Sequence, residues 1–384
     1  MRSIKVWSTL LGFAAALSAA CMSAGTLAAK PAPKASGLHP QGEKVEVLCS
    51  FFPIYVFTKN VVGDRPNINV SVMIPSEKGC PHDYDLTPED IKKIARANVF
   101  VLNGGGIEEF GDEKVKKSNP KIKIIDSSAK IKMLEAAHDH DHDEKDAKHD
   151  HKHDHDHKDA KHDHKHDHDH KDAKHDHKHD HDHDHDKDHK HADKAKEQKK
   201  DDHDHGHHHH GGKNPHFFSS PTQAALQVEA IAEKLSEIDP DGASVYKQNA
   251  ATYAAKLRAL AGDFKKASEG FQNKKIVTIH EVFDYLARDI GLEVTATIDA
   301  EPGKDPSASR MRELIQSIKT KKPAAVFTEP QYSEKAATMI SKEAKIRTGQ
   351  LDPVASGPTD APLDYYETTM RKNLETLKSL LGGS

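Results

Sequence analysis

Apolar and polar positions along this chain fall into two alternating series separated by a long polar interruption. In the first series, KVEVLCS (44–50), INVSVMI (68–74), VFVLN (99–103) and KIKIID (121–126) read as strands. Residues 52–62, 87–97 and 107–118 read as the helices between them. Thr87 stands at an N-cap, with Pro88 at the first helical position and Asp90 in the capping-box place. After the interruption, Ala225, Val228, Ala232 and Leu235 recur at helical spacing, as do Tyr253, Leu257, Leu260 and Phe264, predicting helices over 220–238 and 242–269. Alternation then resumes, with strands over 275–279, 293–298, 324–328 and 346–351. Helices are predicted over 282–290, 307–319 and 333–342, and a terminal one over 363–381. Strands alternating with helices imply an α/β fold with parallel sheets covered on both faces. The expectation is two small lobes with mostly parallel sheets, joined by one long helix.

The interruption is a repeat. His149 to Lys161 reads HDHKHDHDHKDAK, His162 to Lys174 repeats the same letters, and a third copy starting at His175 decays after His183. The chain has 31 histidines, and all but His39, His82, His216 and His280 lie between His138 and His210. This stretch has no aromatic residue and almost nothing apolar, so it cannot bury enough surface to offset its ordering entropy. It is expected to be a disordered, metal-binding insert over 137–212. The remaining organisation predicted is a signal peptide (1–29), a Pro/Ala/Lys tether (30–43), an N-terminal α/β lobe (44–136) completed by 213–240, a linking helix (241–270) and a C-terminal α/β lobe (271–384).

The leader has Arg2 and Lys5 ahead of an apolar run from Val6 to Ala20, followed by small residues, which is the pattern of an export signal. Cleavage after Ala28 or Ala29 is expected ahead of lipid attachment at Cys21, whose lipobox has Ser18 where an aliphatic residue is usual. No later segment is apolar enough to span a bilayer. Export leaves Cys49 and Cys80 in a compartment that permits disulfides, and both fall at ends of neighbouring predicted strands; a Cys49–Cys80 bridge is therefore expected. The formal charge of -5 counts every histidine as neutral. With an ordinary histidine pKa of about 6.5, mild acid reverses its sign. The lysines form no basic face with interleaved aromatics, which argues against a nucleic-acid partner.

The candidate chemistry lies in three rare residues outside the repeat. His82, in GCPHDY (79–84), follows the second strand; His216, in NPHFF (214–218), follows the insert; His280, in TIHEVF (278–283), follows the first strand of the second series. In open parallel sheets ligands bind beyond the carboxyl ends of strands. A lone histidine more often serves as a structural hydrogen-bonder, but three at such places favour a metal site, and neutral imidazoles suit Zn2+.

The segments PHDYDLTPED, NPHFFSSPTQA, TIHEVFDYLA, FTEPQYSEKAA and GQLDP, in that order, resemble the zinc-binding solute receptors of bacterial ABC importers, the cluster A-I metal-receptor family. The resemblance covers about residues 45–380. It implies two α/β lobes joined by a rigid helix, with the metal in the cleft between them. It also implies His82, His216 and His280 as ligands, with Asp352 of LDP (351–353) as an acidic fourth; the alternative for Asp352 is capping a turn before Pro353. Glu329 becomes a candidate for orienting a histidine, or else a cap or surface carboxylate. Cys80 departs from the family pattern; as a thiolate it is a zinc ligand by type, but the disulfide is its expected use because His82 already serves the site from that loop. The implied role is periplasmic capture of zinc as transported cargo and delivery, by a monomer, to a membrane permease and its ATPase. The insert would collect or sense the metal.

Other readings fit less well. A zinc hydrolase would show H-E-x-x-H, whereas His280-Glu281-Val282-Phe283 is followed by Asp284. The Gly104-Gly105-Gly106 run lacks the G-K-[ST] of a phosphate loop. A receptor for manganese, iron, nickel or copper, and a periplasmic zinc store or chaperone, remain as alternatives.

Overall fold

The computed structural model describes residues 44–82, 84–135, 212–298 and 306–383. The expected leader, tether, Cys21 and almost all of the His/Asp-rich insert lie outside the described residues.

Strands β1 (Val45–Cys49), β2 (Ile68–Val72), β3 (Val99–Leu102) and β4 (Lys123–Asp126) form one sheet in the order β2-β1-β3-β4. Every pairing in it is parallel. β1 and β3 are almost wholly buried, which is why their sequences are apolar runs rather than strict alternations. Helices α1 (Phe52–Val62), α2 (Pro88–Arg96) and α3 (Gly111–Ser118) connect the strands. The capping box of α2 forms as its sequence predicts: Asp90 N–H donates to Thr87 Oγ1 at 3.2 Å and Thr87 N–H donates to Asp90 Oδ2 at 2.9 Å. The helix expected over 107–118 begins only at Gly111. Gly104, Gly105 and Gly106 all adopt positive φ, and buried Glu108 turns back to accept Asn103 N–H at 2.7 Å and Gly104 N–H at 3.1 Å. That segment is therefore committed to a turn.

A short antiparallel pair that the sequence reading did not anticipate, β5 (Leu134–Glu135) and β6 (Lys213–Asn214), brings together the two chain ends that flank the insert. α4 (Pro221–Ile238) and α5 (Ala243–Glu269) follow. The 27 residues of α5 make a rod of about 40 Å. Its buried stripe of Tyr246, Ala250, Tyr253, Leu257, Leu260 and Phe264 lies on one side of the helix. It packs against α1 and α4 on the first lobe and against α6 (Asp284–Ile290) and α9 (Tyr365–Leu381) on the second.

The second sheet holds β7 (Lys275–Thr278), β8 (Glu293–Thr297), β9 (Ala325–Thr328) and β10 (Arg347–Gln350) in the order β10-β9-β7-β8, again all parallel. Counted from its own first strand, each sheet has the order 2-1-3-4 once the second is read from its β8 edge. α7 (Ala308–Lys321) and α8 (Glu334–Ala344) cover it, with a smaller core of Val277, Met311, Leu314, Val326 and Ile340. The helix expected from 282 starts as a 3-10 turn over Glu281–Phe283 before α6. No helix among the described residues is long and apolar enough to cross a membrane.

The main core is continuous from one lobe into the other. Phe52 meets Tyr365 edge-on at 5.3 Å, and Phe57 meets Tyr366 at 5.2 Å. A Cβ on Gly357 would come within 2.2 Å of the Phe52 ring, so the loop before α9 lies directly on α1. Such close aromatic packing resists relative motion, because each pair would lose both apolar burial and edge-to-face attraction.

Candidate metal centre

The Asn214-Pro215-His216 segment is gripped by both lobes. From the first, Asn103 Nδ2 donates to Pro215 O at 3.0 Å, and Gln227 Nε2 in turn donates to Asn103 Oδ1 at 3.2 Å and to Ser127 Oγ at 2.8 Å. From the second, Tyr285 Oη donates to Asn214 O at 2.8 Å and accepts Leu134 N–H at 2.9 Å, tying both strands of the β5–β6 pair to α6. Asn214 Nδ2 donates to Glu281 O at 3.0 Å and to Asp284 Oδ2 at 3.1 Å. Asn214 Oδ1 then accepts both the backbone N–H and the ring Nδ1–H of His216, each at 2.9 Å. The imidazole, only 4 % exposed, is thereby held with Nε2 pointing away from its own backbone turn.

His82 meets it from the loop after β2. The two Nε2 atoms are 2.6 Å apart, and the ring centroids 4.8 Å. Because His216 carries its proton on Nδ1, its Nε2 is the acceptor and His82 Nε2–H the donor. Two imidazoles on one tetrahedral zinc would hold these atoms roughly 3.3 Å apart, given Zn–N bonds of about 2.0–2.1 Å. A metal ion taking both nitrogens replaces this shared proton and spreads the rings by roughly 1 Å or less.

His280 completes the set from the end of β7, its ring 5.1 Å from that of His216. Its Nδ1–H donates to Glu329 Oε1 at 2.8 Å. Glu329 follows β9 and is 1 % exposed, so it is not a surface carboxylate. His280 Nε2 is buried and makes no well-aligned hydrogen bond, with Cys80 beside it. Burial of the ring presses its imidazolium down, but the Glu329 carboxylate and Cys80 outweigh that and push it up to about 10. A metal ion binding here must displace a proton.

The expected Cys49–Cys80 disulfide is not formed; both thiols are free. Cys49 is buried at the end of β1, where burial pushes it up to about 12 against a contact with Thr58. Cys80 instead faces the histidines: its sulfur, a His216 nitrogen and a His280 nitrogen all lie within 4.8 Å of one another. Burial raises the Cys80 thiol, opposed by His280. Neither Asp352 nor His82 is in that compact set; His82 meets it at His216. Asp352 follows β10, its Oδ1 accepts Val354 N–H at 2.8 Å, and Asn373 of α9 holds its backbone N–H and carbonyl at 2.9 and 2.7 Å. Asn214, Tyr285 and Asn103, which set the orientation of His216, were not singled out from the sequence. The one local signal was an Asn two residues before His216, a spacing at which Asn commonly accepts a bond from the chain ahead of it.

A profile for the family described as zinc-uptake complex component A, periplasmic, matches residues 47–380. The zinc-binding protein AdcA of Streptococcus pyogenes is 30% identical over 341 residues, covering 87% of this chain and 56% of AdcA. This chain thus spans little more than half the length of that relative. The high-affinity zinc uptake system protein ZnuA of Bacillus subtilis is 26% identical over 383 residues, covering 98% of each. Among solved structures, the solute-binding protein FpvC of Pseudomonas aeruginosa in complex with Ni2+ superposes with a TM-score of 0.63 at 25% identity, over 89% of this chain and 99% of FpvC. With two parallel lobes bridged by a long helix and a profile match over nearly all of both, this chain belongs to the periplasmic zinc-uptake component A family.

Proposed function

We propose that this protein captures zinc outside the cytoplasm and delivers it to a membrane permease driven by an ATPase; it is a receptor and not an enzyme. The observation that carries this reading is the convergence of His82, His216 and His280, from three separate segments, at the carboxyl ends of the two sheets. Neutral nitrogen donors of that kind suit zinc, and their hydrogen-bond partners fix which nitrogen each presents. The family resemblance adds Asp352 as an acidic fourth group from the same side. Binding expels protons from the rings, so affinity falls as the medium is acidified, starting from about pH 10 where His280 first takes its proton.

Release needs the permease to open the site, because the continuous aromatic packing between lobes leaves little spontaneous motion. The family description places such proteins in the periplasm. One streptococcal relative is named a lipoprotein, which keeps anchoring through Cys21 beside soluble export as the second form. The insert would gather zinc on weak, flexible His/Asp sites, each weaker than a preformed site because it must be ordered anew.

A second reading, a receptor for another divalent ion, is favoured by one observation: the superposable FpvC was solved with Ni2+. Titration with zinc, manganese and nickel separates the two. The chain with His82, His216 and His280 all replaced by alanine, and the insert removed, is the control. One tight zinc site that vanishes in this control supports the proposal. Nanomolar zinc binding that survives in it overturns the assignment, and tighter nickel than zinc binding in the parent establishes the second reading.

A further inference from the structure

Resting on the receptor reading, we propose that Cys80 is itself a metal ligand, so that one cysteine and three histidines complete the site from the protein alone and its cargo is a thiophilic divalent ion.

Three independent observations lead there. First, Cys80 is not used elsewhere: it is free, and Cys49 lies buried under α1 against Thr58. Second, its sulfur belongs to the compact donor set, with all three ligand atoms within 4.8 Å. Tetrahedral bonds of about 2.3 Å to sulfur and 2.0–2.1 Å to nitrogen would put neighbouring S and N atoms roughly 3.5 Å apart, so contraction by at most about 1.3 Å closes the set. Third, His280 Nδ1 is taken by Glu329, while its buried Nε2 makes no well-aligned hydrogen bond and has the Cys80 sulfur beside it.

The loop is shaped for two donors. Gly79 at φ +82 turns the chain, and Tyr84 N–H closes a turn on Pro81 O at 3.2 Å; on either side of Pro81, Cys80 joins His216 and His280 while His82 meets His216. Asp352 competes poorly for the fourth place because its Oδ1 already accepts Val354 N–H. Binding the ion releases the Cys80 thiol proton and the His280 ring proton to solvent and forms one metal–sulfur bond beside the metal–nitrogen bonds, with no change of oxidation state. Sulfur in the set biases selection toward zinc and cadmium and away from manganese, which prefers oxygen donors.

Cobalt(II) added at one equivalent to the full chain tests this. A thiolate bound to cobalt gives a near-ultraviolet charge-transfer band that imidazole and carboxylate cannot give, and the His/Asp-rich insert has no cysteine to produce it. The band is expected in the parent and in Cys49→Ser, and is expected to vanish in Cys80→Ser while the visible bands of histidine-bound cobalt remain. Zinc affinity of Cys80→Ser should fall on the order of a hundredfold, since losing a ligand exceeds the 10- to 100-fold of losing a ligand's hydrogen-bond partner. The ratio of cadmium to manganese affinity should fall with it. If the parent shows tight, His216-dependent cobalt binding without the band, Cys80 is no ligand and the receptor reading stands. Tight binding indifferent to His216→Ala overturns both.

Discussion

Glu329 Oε1 lies 2.8 Å from His280 Nδ1 and joins the end of β9 to the end of β7 across the floor of the second lobe. The carboxylate fixes the tautomer, so that Nε2 faces Cys80 and His216, and it raises the basicity of the ring as a ligand. Glu329→Gln keeps the shape and an acceptor but removes the charge, and should weaken zinc binding about 10- to 100-fold. Glu329→Ala leaves a buried N–H unpaired and should be worse, with stability lower by about 1–3 kcal/mol. Competition titration against a chelator of known affinity gives the first number and chemical denaturation the second. Unchanged zinc affinity in both variants would show that His280 is held by packing alone.

The unequal legibility of this chain follows from the range over which each determinant acts. Elements set by local signals were readable: α2 from Thr87, Pro88 and Asp90, and α5 from Tyr253, Leu257, Leu260 and Phe264. The three histidines stood out because so few lie outside the repeat. What was not readable depends on residues far apart in sequence. Whether Cys80 meets Cys49 or His280 is decided by how the loop after β2 folds over the second lobe, and sulfur-to-sulfur separation leaves no mark on the sequence. The β5–β6 pair was missed because two-residue strands carry no periodicity. The helix expected from 107 was lost to Glu108, which lies between Ile107 and Phe110 at helix-like spacing but whose carboxylate is spent on the backbone of the glycine turn.

Asn214 is where both lobes take hold of His216, and replacing it should separate orientation from ligation. Asn214→Asp keeps the acceptor for His216 but loses the donor to Glu281 O and sets a second carboxyl against Asp284 Oδ2, now 3.1 Å away. Burial and neighbouring Glu281 already push Asp284 up to about 7. The variant should therefore lose about 1–3 kcal/mol of stability near neutral pH, and recover part of it as the medium is acidified and one carboxyl of the pair becomes protonated. Urea midpoints at several pH values give the result. A loss that does not shrink toward acid would mean that the two carboxyls do not interact.

Glu108 carries a pH dependence of its own. It is buried, and burial pushes its carboxyl from 4.5 up to about 7, against the two backbone N–H groups it accepts. A carboxyl raised on folding binds its proton more tightly in the native state. Its contribution to stability is therefore intact below about pH 4.5 and is lost as the pH rises through about 7. The full span is about 3 kcal/mol. Glu108→Gln has a fixed penalty, because its amide N–H faces a backbone N–H, but no titration. The difference in stability between variant and parent should therefore move in favour of the variant by up to about 3 kcal/mol between about pH 4.5 and 8. Parallel pH profiles for the two proteins would mean that Glu108 does not titrate in that range.

The β5–β6 pair allows the role of the insert to be tested without disturbing the lobes. Leu134 pairs with Asn214 and Glu135 with Lys213, and Lys213 Nζ also bonds the Glu135 carboxylate. Replacing residues 136–211 with a single asparagine places an Asn-Gly212 dipeptide between the paired strands. Asn-Gly is the preferred sequence of a two-residue type I′ hairpin, which requires positive φ at both positions, and Gly212 already has φ +77. Shortening the connection lowers the entropy cost of closing it, so the variant should be as stable as the parent or more stable by on the order of 1–3 kcal/mol. Its thermal midpoint, read with and without zinc, should rise on zinc addition as far as the parent's does, because the tight site is carried by His82, His216 and His280 and not by the insert. The weaker zinc equivalents of the parent should disappear. A shortened chain that folds but no longer gains stability from zinc would place the tight site in the insert and leave the three histidines as structural hydrogen-bonders.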